Sequence, residues 1–479
     1  MRWTIAQVAG ALGTTAGRGL DPLARLAGVS IDSRTVRPGE LFMAIHGPSH
    51  DGHDYVAAAL ERGGLAAVVA GAQAGRYPDA IRNRCLVVAD TFDALKQFAR
   101  AVREAWGGKI AGITGSVGKT TTKENLAALL GAKLRVLKSE GNFNNEYGLP
   151  LTLFRLDETH EAAVLEMGMS RSGELARLAA IARPDVGIVT RVAPAHLEFF
   201  ASIEEIALAK RELIEGLNGR NSTAVLNADD PRVAAFGPSA PGRVITYGID
   251  APAFFSAAAI EDRGTAGSAF DYVSPEGRVR LELPVPGRHA IYNALAALAA
   301  ASVWNIGAAE AQRVFPALRV PHMRGELLRF SNGAALINDS YNSSPAALHA
   351  MISVLANTGN FRRRILAAGE MRELGAASPD LHREAGSYAG KTGKVDWVIG
   401  VAGDAQHIVE GAVAAGVPRA QTRFFASSEE AAQFLQGFLA PGDVLLVKGS
   451  RGVKMERIVE ALLTRYLAPG EAAPEGVRH

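Results

Sequence analysis

Lys109-Ile-Ala-Gly-Ile-Thr-Gly-Ser-Val-Gly-Lys-Thr-Thr-Thr-Lys123 decides how the rest of the chain is read. Residues 110–113 are an apolar run that reads as a buried strand, Gly115 and Gly118 permit a tight turn, and residues 120–130 read as a helix. Strand, glycine loop and helix in that order make a phosphate-binding loop. Backbone N–H groups across Gly115, Ser116, Val117 and Gly118 face an anion at the positive end of the helix, and Lys119 adds a point charge. The Thr120 hydroxyl, with Thr121 beside it, is placed for the Mg²⁺ that accompanies a nucleotide. The strict pattern G-x-x-x-x-G-K-[ST] asks for glycine at 113, where this chain has isoleucine. The glycine stands at 112 instead, and Thr114-Gly115 opens the loop.

A chain of 479 residues exceeds what one core holds and suggests about three domains. Charged residues are 21 % and the net charge is +2, so charge implies no polyanion partner and no nucleic acid is expected. A single cysteine, Cys85, excludes an internal disulfide and fits a reducing compartment; beside Leu86-Val-Val88 it reads as a small core residue. The start, Met1-Arg-Trp-Thr-Ile-Ala-Gln7, has no apolar block of signal-peptide type, and no segment reaches membrane-spanning length without a charge. The expectation is a cytoplasmic protein without a membrane span.

Strand and helix alternate along the chain, giving an α/β fold in three parts. Residues 1–106 mix short strands at 30–34, 40–46 and 66–70 with a helix at 54–62. Polar groups recur there at strand ends and turns: Ser30, Asp32, Ser33, Arg34, His46, Asp51 and His53. Each could contact a ligand, or simply be a cap or a solvated loop residue. Residues 107–318 continue from the phosphate loop with apolar strands at 162–167, 186–190 and 223–227 and helices at 174–182 and 202–217, which predicts a mostly parallel sheet. From 243 to 283 short alternating strands with Gly, Pro and Asp turns suggest antiparallel additions, closed by an Ala-rich helix at 291–303. Residues 319–479 alternate again, with strands near 334–337, 364–368, 396–400, 422–425 and 444–447. That part reads as a Rossmann-like domain without the G-x-G-x-x-G fingerprint, and its tail from 469 as frayed.

Polar residues that end parallel strands are where such sheets build sites. Glu166 ends one, and His196 follows another through Arg191-Val-Ala-Pro-Ala195; both could join Thr120 around Mg²⁺, or be a surface carboxylate and a backbone-satisfied imidazole. Lys210 lies within the apolar stripe of Ile203, Ile206, Ala207, Leu213, Ile214 and Leu217, where an unpaired ammonium is expensive. It is either a snorkelling lysine at a domain edge or one whose charge is neutralised or chemically converted in a site. Asn142, Asn144 and Asn145 crowd amides into one loop, for a polar substrate or for turns; Asp339 could meet a ribose or a phosphate-bound metal, or cap its turn.

Taken together these stretches resemble the Mur ligase family, ATP-dependent enzymes that add amino acids to the peptide of cell-wall precursors. The resemblance runs over nearly the whole chain: Asp32-Ser-Arg34, Thr114-Gly-Ser-Val-Gly-Lys-Thr-Thr121, Leu165-Glu-Met-Gly168, Ala195-His-Leu197, Ala209-Lys210, His289 with Asn293, Arg324-Gly-Glu326 and Lys448-Gly-Ser-Arg451. Within the family, Gly141-Asn-Phe-Asn-Asn-Glu-Tyr-Gly-Leu-Pro-Leu-Thr152 and Gly369-Glu-Met-Arg-Glu-Leu-Gly375 look like the branch that adds D-alanyl-D-alanine, and the Asp-Asn-Pro-Arg signature of the diaminopimelate- or lysine-adding branch is not found.

The resemblance implies an N-terminal domain for a UDP-sugar precursor (1–106), a central ATPase domain (107–318) and a Rossmann-like C-terminal domain (319–479). It implies ATP and two Mg²⁺ ions, with UDP-N-acetylmuramoyl-tripeptide and D-alanyl-D-alanine as partners; a monomer is expected, though the sequence does not give the oligomeric state. Thr120 and Glu166 would bind one Mg²⁺ and His196 a second, helped by Lys210 carbamylated by CO₂. Lys119 would stabilise the transferring phosphoryl group, and Asn293 would stand on the adenine side. Arg324 and Asp339 would reach ATP on domain closure. Ser30, Asp32, Ser33, Arg34 and His46 would lie near the uridine diphosphate, and Asn142, Asn144 and Asn145 near substrate. The rival readings are a sister ligase, a folylpolyglutamate-synthetase-like enzyme (disfavoured by the first domain), a nucleotide-hydrolysing switch, and a catalytically dead platform.

Overall fold

The computed structural model describes residues 3–195 and 197–466, and their strands form three sheets. The first contains β1 (Gly28–Ser30), β2 (Glu40–Met43), β3 (Ala66–Ala70) and β4 (Cys85–Val88), parallel and in that order. Cys85 is buried, as its apolar neighbours predict. Leu41, Met43, Val68 and Leu86 pack on Leu95 and Phe98 of the helix Thr91–Trp106, which Asp90 caps and a left-handed Gly107 ends. That helix also ties the first sheet to the second. Buried Arg103 donates to the carbonyls of Ala182 and Arg183 and to Asp185 Oδ2 at 2.8 Å, and the same carboxylate oxygen accepts the Ile110 N–H at 2.9 Å.

The second sheet comprises β5 (Lys109–Thr114), β6 (Val136–Lys138), β7 (Ala162–Glu166), β8 (Val186–Val189), β9 (Thr223–Asn227), β10 (Arg243–Gly248), β11 (Phe255–Asp262), β12 (Ser268–Ser274) and β13 (Gly277–Leu283). Their spatial order is 13-12-11-10-9-8-5-7-6. From β5 the chain first builds outward through β6 and β7, then crosses back to β8 on the other side. The crevice for a ligand therefore opens at the carboxyl end of β5. Leu126 and Leu130 of the helix Lys119–Gly131 and Ile291, Leu295 and Leu298 of the helix Arg288–Ala301 cover one face; Leu175, Leu178, Leu213 and Ile214 cover the other.

The antiparallel reading of 243–283 is corrected in part. β10 runs parallel to β9, with Ile245 opposite Val225, and β11 starts parallel to β10; only β11, β12 and β13 are antiparallel. The short helix Pro231–Ala234 and the turn after it return the chain to the starting end of β9 before β10 begins, which makes a parallel pair possible.

The third sheet has β14 (Glu326–Arg329), β15 (Ala335–Asp339), β16 (Arg363–Gly369), β17 (Trp397–Val401), β18 (Thr422–Phe425) and β19 (Asp443–Lys448), in the order 14-15-19-16-17-18. All neighbours are parallel except β14, an edge strand not read from the sequence. The helix Ser378–Lys391 was not read either, because its Gly386 and Gly390 weaken the helical signal. Those glycines let it approach the helix Gln406–Ala414: a Cβ at 386 would run into the Ile408 carbonyl. No helix among the described residues is long and apolar enough to cross a membrane.

Replacing Arg103 by Ala removes the cation that joins helix 91–106 to Asp185 and leaves buried carbonyls unsatisfied. A loss of about 2–3 kcal/mol in folding stability is expected, read from the denaturant midpoint.

Candidate active site

The second and third sheets turn the carboxyl ends of their strands toward one cleft of about 890 Å³. The phosphate loop forms its floor. Gly115 and Gly118 take φ of 151° and 86°, and a Cβ at either would strike the Thr190 hydroxyl or the Asn293 side-chain carbonyl. This is where the turn needs glycine; Ile113 is simply an extended, buried residue of β5. The loop is pinned from the β8 side. Thr190 Oγ1 donates to the Val117 carbonyl at 2.6 Å, and the Ser116 N–H donates to the Arg191 carbonyl at 2.7 Å. Asn227 and Asp230, at the end of β9, hold that segment by bonding the Thr190 carbonyl and the Val192 N–H. Neither was singled out in the sequence, although Asn227-Ala-Asp-Asp230 at a strand end was a usable signal.

Lys119 donates to the Gly115 carbonyl at 2.7 Å. Burial lowers its pKa, with Glu166 opposing and the Arg324 guanidinium adding to the shift. Thr120 Oγ1 donates to Glu166 Oε2 at 2.7 Å, and Asn144 Nδ2 to Glu166 Oε1 at 3.0 Å. The backbone beneath is fixed: the Glu166 N–H donates to Ser139 Oγ, and buried Lys123 donates to the Ser139 carbonyl at 2.8 Å. Thr120 and Glu166 thus set a hydroxyl and a carboxylate side by side, a hard oxygen pair suited to Mg²⁺. Among the described residues no cluster of three or more His, Cys, Asp or Glu could hold a metal. An ion here would take its remaining ligands from phosphate oxygens and water, as Mg²⁺ commonly does.

Lys210 sits on the helix Ile203–Glu215 at 2 % exposure among Ile206, Ala207, Leu213 and Ile214. No described residue gives its ammonium a hydrogen bond or an ion pair. Burial, and then the charge of Lys119, push its pKa well below the ordinary lysine range. His196 lies outside the described residues.

The third sheet supplies the facing wall. Asp339 ends β15 and Lys448 ends β19, their side chains 2.6 Å apart, and Lys448 also donates to the Asn342 carbonyl at 2.8 Å. Arg324 stacks over Tyr341 at 4.2 Å from the ring centre. Asn293, on the helix Arg288–Ala301, stands against Gly118 of the phosphate loop and is a distant acceptor for the Thr122 hydroxyl at 3.4 Å. Ser116, Val117, Gly118, Lys119, Thr120, Thr121, Asn142, Asn144, Asn145, Glu166, Asn293, Arg324 and Asp339 all line this cleft. Sequence reasoning missed Asp229, whose carboxylate accepts the N–H groups of Ile249, Asp250 and Ala251 and the Tyr292 hydroxyl at the same rim.

Ser30, Asp32, Ser33, Arg34 and His46 are not on the cleft wall. They occupy the ends of β1 and β2, where Arg34 grips Asp32 and lowers its pKa to about 2, and His46 stands 3.5 Å from Asp51.

Three family descriptions tile the chain: the catalytic domain of the Mur ligase family at residues 25–103, the Mur ligase middle domain at 113–301 and the glutamate ligase domain of Mur ligases at 323–451. A UDP-N-acetylmuramoyl-tripeptide–D-alanyl-D-alanine ligase of Bacillus subtilis is 33 % identical over 92 % of this chain and 94 % of its own length. The chain belongs to the Mur ligase family. The ligase of the same name from Escherichia coli is 34 % identical over 91 % of this chain and 94 % of its own. Among solved Mur ligase structures, MurF from Acinetobacter baumannii superposes with a TM-score of 0.87 at 26 % identity, covering 97 % of this chain and 99 % of its own. MurF from Thermotoga maritima in complex with ADP gives 0.79 at 28 % identity, over 91 % and 97 %. The mixed α/β architecture with three mostly parallel sheets agrees with these Mur ligase structures.

Gly118→Ala should lose roughly 10-fold or more in ADP affinity by calorimetry, because the added Cβ meets Asn293 at a left-handed backbone position. Gly112→Ala, whose Cβ meets only the side-chain ends of Met167 and Leu213 and not the backbone of the phosphate loop, should bind nearly as the parent does.

Proposed function

We propose that this ligase joins D-alanyl-D-alanine to UDP-N-acetylmuramoyl-tripeptide with conversion of ATP to ADP and phosphate, a step of peptidoglycan precursor synthesis. The γ-phosphoryl group passes to the terminal carboxylate of the tripeptide, giving an acyl phosphate. The dipeptide amine attacks that carbonyl, loses a proton, and phosphate leaves as the peptide bond forms. Lys119 and the N–H groups of the phosphate loop stabilise charge on the moving phosphoryl group. Thr120 and Glu166 would hold Mg²⁺, which when bound neutralises phosphate oxygens. His196 and Lys210 are assigned to a second ion. Asn293 is assigned to the adenine side and Arg324 and Asp339 to the nucleotide from the facing wall. Asn142, Asn144 and Asn145 are assigned to the peptide substrate. Residues 1–106 are taken as the precursor-binding domain, with Ser30, Asp32, Ser33, Arg34 and His46 near the uridine diphosphate. Residues 107–318 and 319–479 are the central and C-terminal domains.

The single observation that carries a ligase reading is Lys210, buried and without a partner among the described residues, beside Lys119. A nucleotide-driven switch gives no reason for a buried ammonium group close to the half-buried Lys119. A depressed pKa raises the share of neutral, nucleophilic amine at Lys210, which can add CO₂ and release a proton. The resulting carbamate is an anion that offsets Lys119 and offers oxygens to a cation. The acceptor is inferred from the relatives' names and from the branch motifs at 141–152 and 369–375. The buried lone cysteine and nucleotide-linked substrate fit the cytoplasm, and one copy carries every wall of the cleft, which fits a monomer.

Phosphate release should require both UDP-N-acetylmuramoyl-tripeptide and D-alanyl-D-alanine, with pentapeptide product found by mass spectrometry. Release indifferent to the dipeptide would falsify the assignment of acceptor. Lys210→Ala should retain the fold and lose roughly 100-fold to 1,000-fold in kcat.

A further inference from the structure

The loop from Gly369 to Gly375 leaves β16 and crosses the cleft wall, where Arg372, Glu373 and Leu374 line the cavity. Glu373 has φ of 64°, a left-handed backbone that a residue with a Cβ adopts only when its surroundings over-determine it. The restraints are visible one residue at a time. The Glu370 N–H donates to Val401 and its carbonyl accepts the Ser450 N–H. The Arg372 N–H donates to Ser450 Oγ at 2.9 Å. The Glu373 carbonyl accepts the Glu198 N–H at 3.2 Å, which joins this loop to the second sheet's side of the cleft.

Between these anchors, the Met371 N–H is held by a side chain rather than by backbone: it donates to Nε2 of His382 at 2.8 Å. His382 is fully buried on the helix Ser378–Lys391, and its Nδ1 stands 2.7 Å from the Ser378 carbonyl. The partners dictate the tautomer. An amide N–H only donates, so Nε2 must be bare; a carbonyl only accepts, so Nδ1 must carry the proton. Burial lowers the pKa of the ring against the opposing bond to the Ser378 carbonyl and the charges of Asp404 and Glu370, with His407 adding to the lowering, which favours the neutral form.

We infer that His382 is a positioning residue for the cleft: its Nδ1–H tautomer, by accepting the Met371 N–H, holds the Glu370–Leu374 loop in the strained shape that presents Arg372 and Glu373 to substrate and meets Glu198 across the cleft. His382 touches no reacting atom and acts through the loop. The inference rests on the cleft being the catalytic site proposed above.

Two near-isosteric replacements separate positioning from packing. His382→Gln can place an acceptor oxygen where Nε2 lies and keep the Met371 bond. His382→Asn can keep a donor to Ser378 but cannot reach Met371. The expected result is that Gln retains most of the activity, whereas Asn loses roughly 10-fold to 100-fold in kcat/KM, with kcat and KM both affected. Melting temperatures of the two should agree. Amide exchange at Met371 and Arg372 should quicken in Asn and not in Gln, a readout that needs no turnover. Equal losses in both variants, retention of activity by both, or the reverse order would overturn the inference. If the parent protein made no pentapeptide while exchange followed the expected order, the reading of the reaction would fall and the anchoring of the loop would stand.

Discussion

A backbone turn with no room for a side chain is the constraint on which the site depends. At Gly115 and Gly118 the chain bends into the start of the helix Lys119–Gly131, and Thr190 and Asn293 occupy the space where a Cβ would stand. The crowding is structural as well as permissive. Thr190 is part of the segment that Asn227 and Asp230 clamp, so the loop's shape is set by β8 and β9 as much as by β5. An anion site made of backbone dipoles works because those dipoles are held before the anion arrives.

Around that turn the charges are unbalanced in a directed way. Buried Lys210 lies close to the half-buried Lys119, Arg324 adds its charge from the facing wall, and Glu166 is the carboxylate that Lys119 feels. A low-dielectric cleft tolerates such an excess only if its ordinary state includes anions. Phosphates supply them, and a carbamate on Lys210 would supply another. Lys448 shows the contrasting solution: equally buried, it is paired with Asp339 and a carbonyl, and serves to fix the wall.

Two walls from different sheets make one cleft, so the bonds that cross between them set how the walls meet. The Glu373 carbonyl to the Glu198 N–H is one, and it springs from a loop with a strained residue. Strain of this kind costs on the order of 1–3 kcal/mol and persists only where neighbouring anchors outweigh it.

The phosphate loop, its strand and its helix were legible in the sequence because the chemistry is local: glycine, lysine and threonine must follow one another on a single turn. The apolar strand runs of the second and third sheets were legible for the same reason, and Lys210 stood out because a charge interrupted an apolar stripe. What escaped depends on partners distant in the chain. β10 became parallel through a crossover whose direction no residue within 243–248 encodes. The helix Ser378–Lys391 hid behind glycines that make sense only against the helix it touches. Asp229, Lys123 and His382 have ordinary surroundings in sequence and gain meaning from groups up to tens of residues away. The sequence alone determined that a phosphate is bound and by which turn. Tertiary structure decided which other residues face that phosphate, because burial and hydrogen-bond partners are properties of neighbours in space.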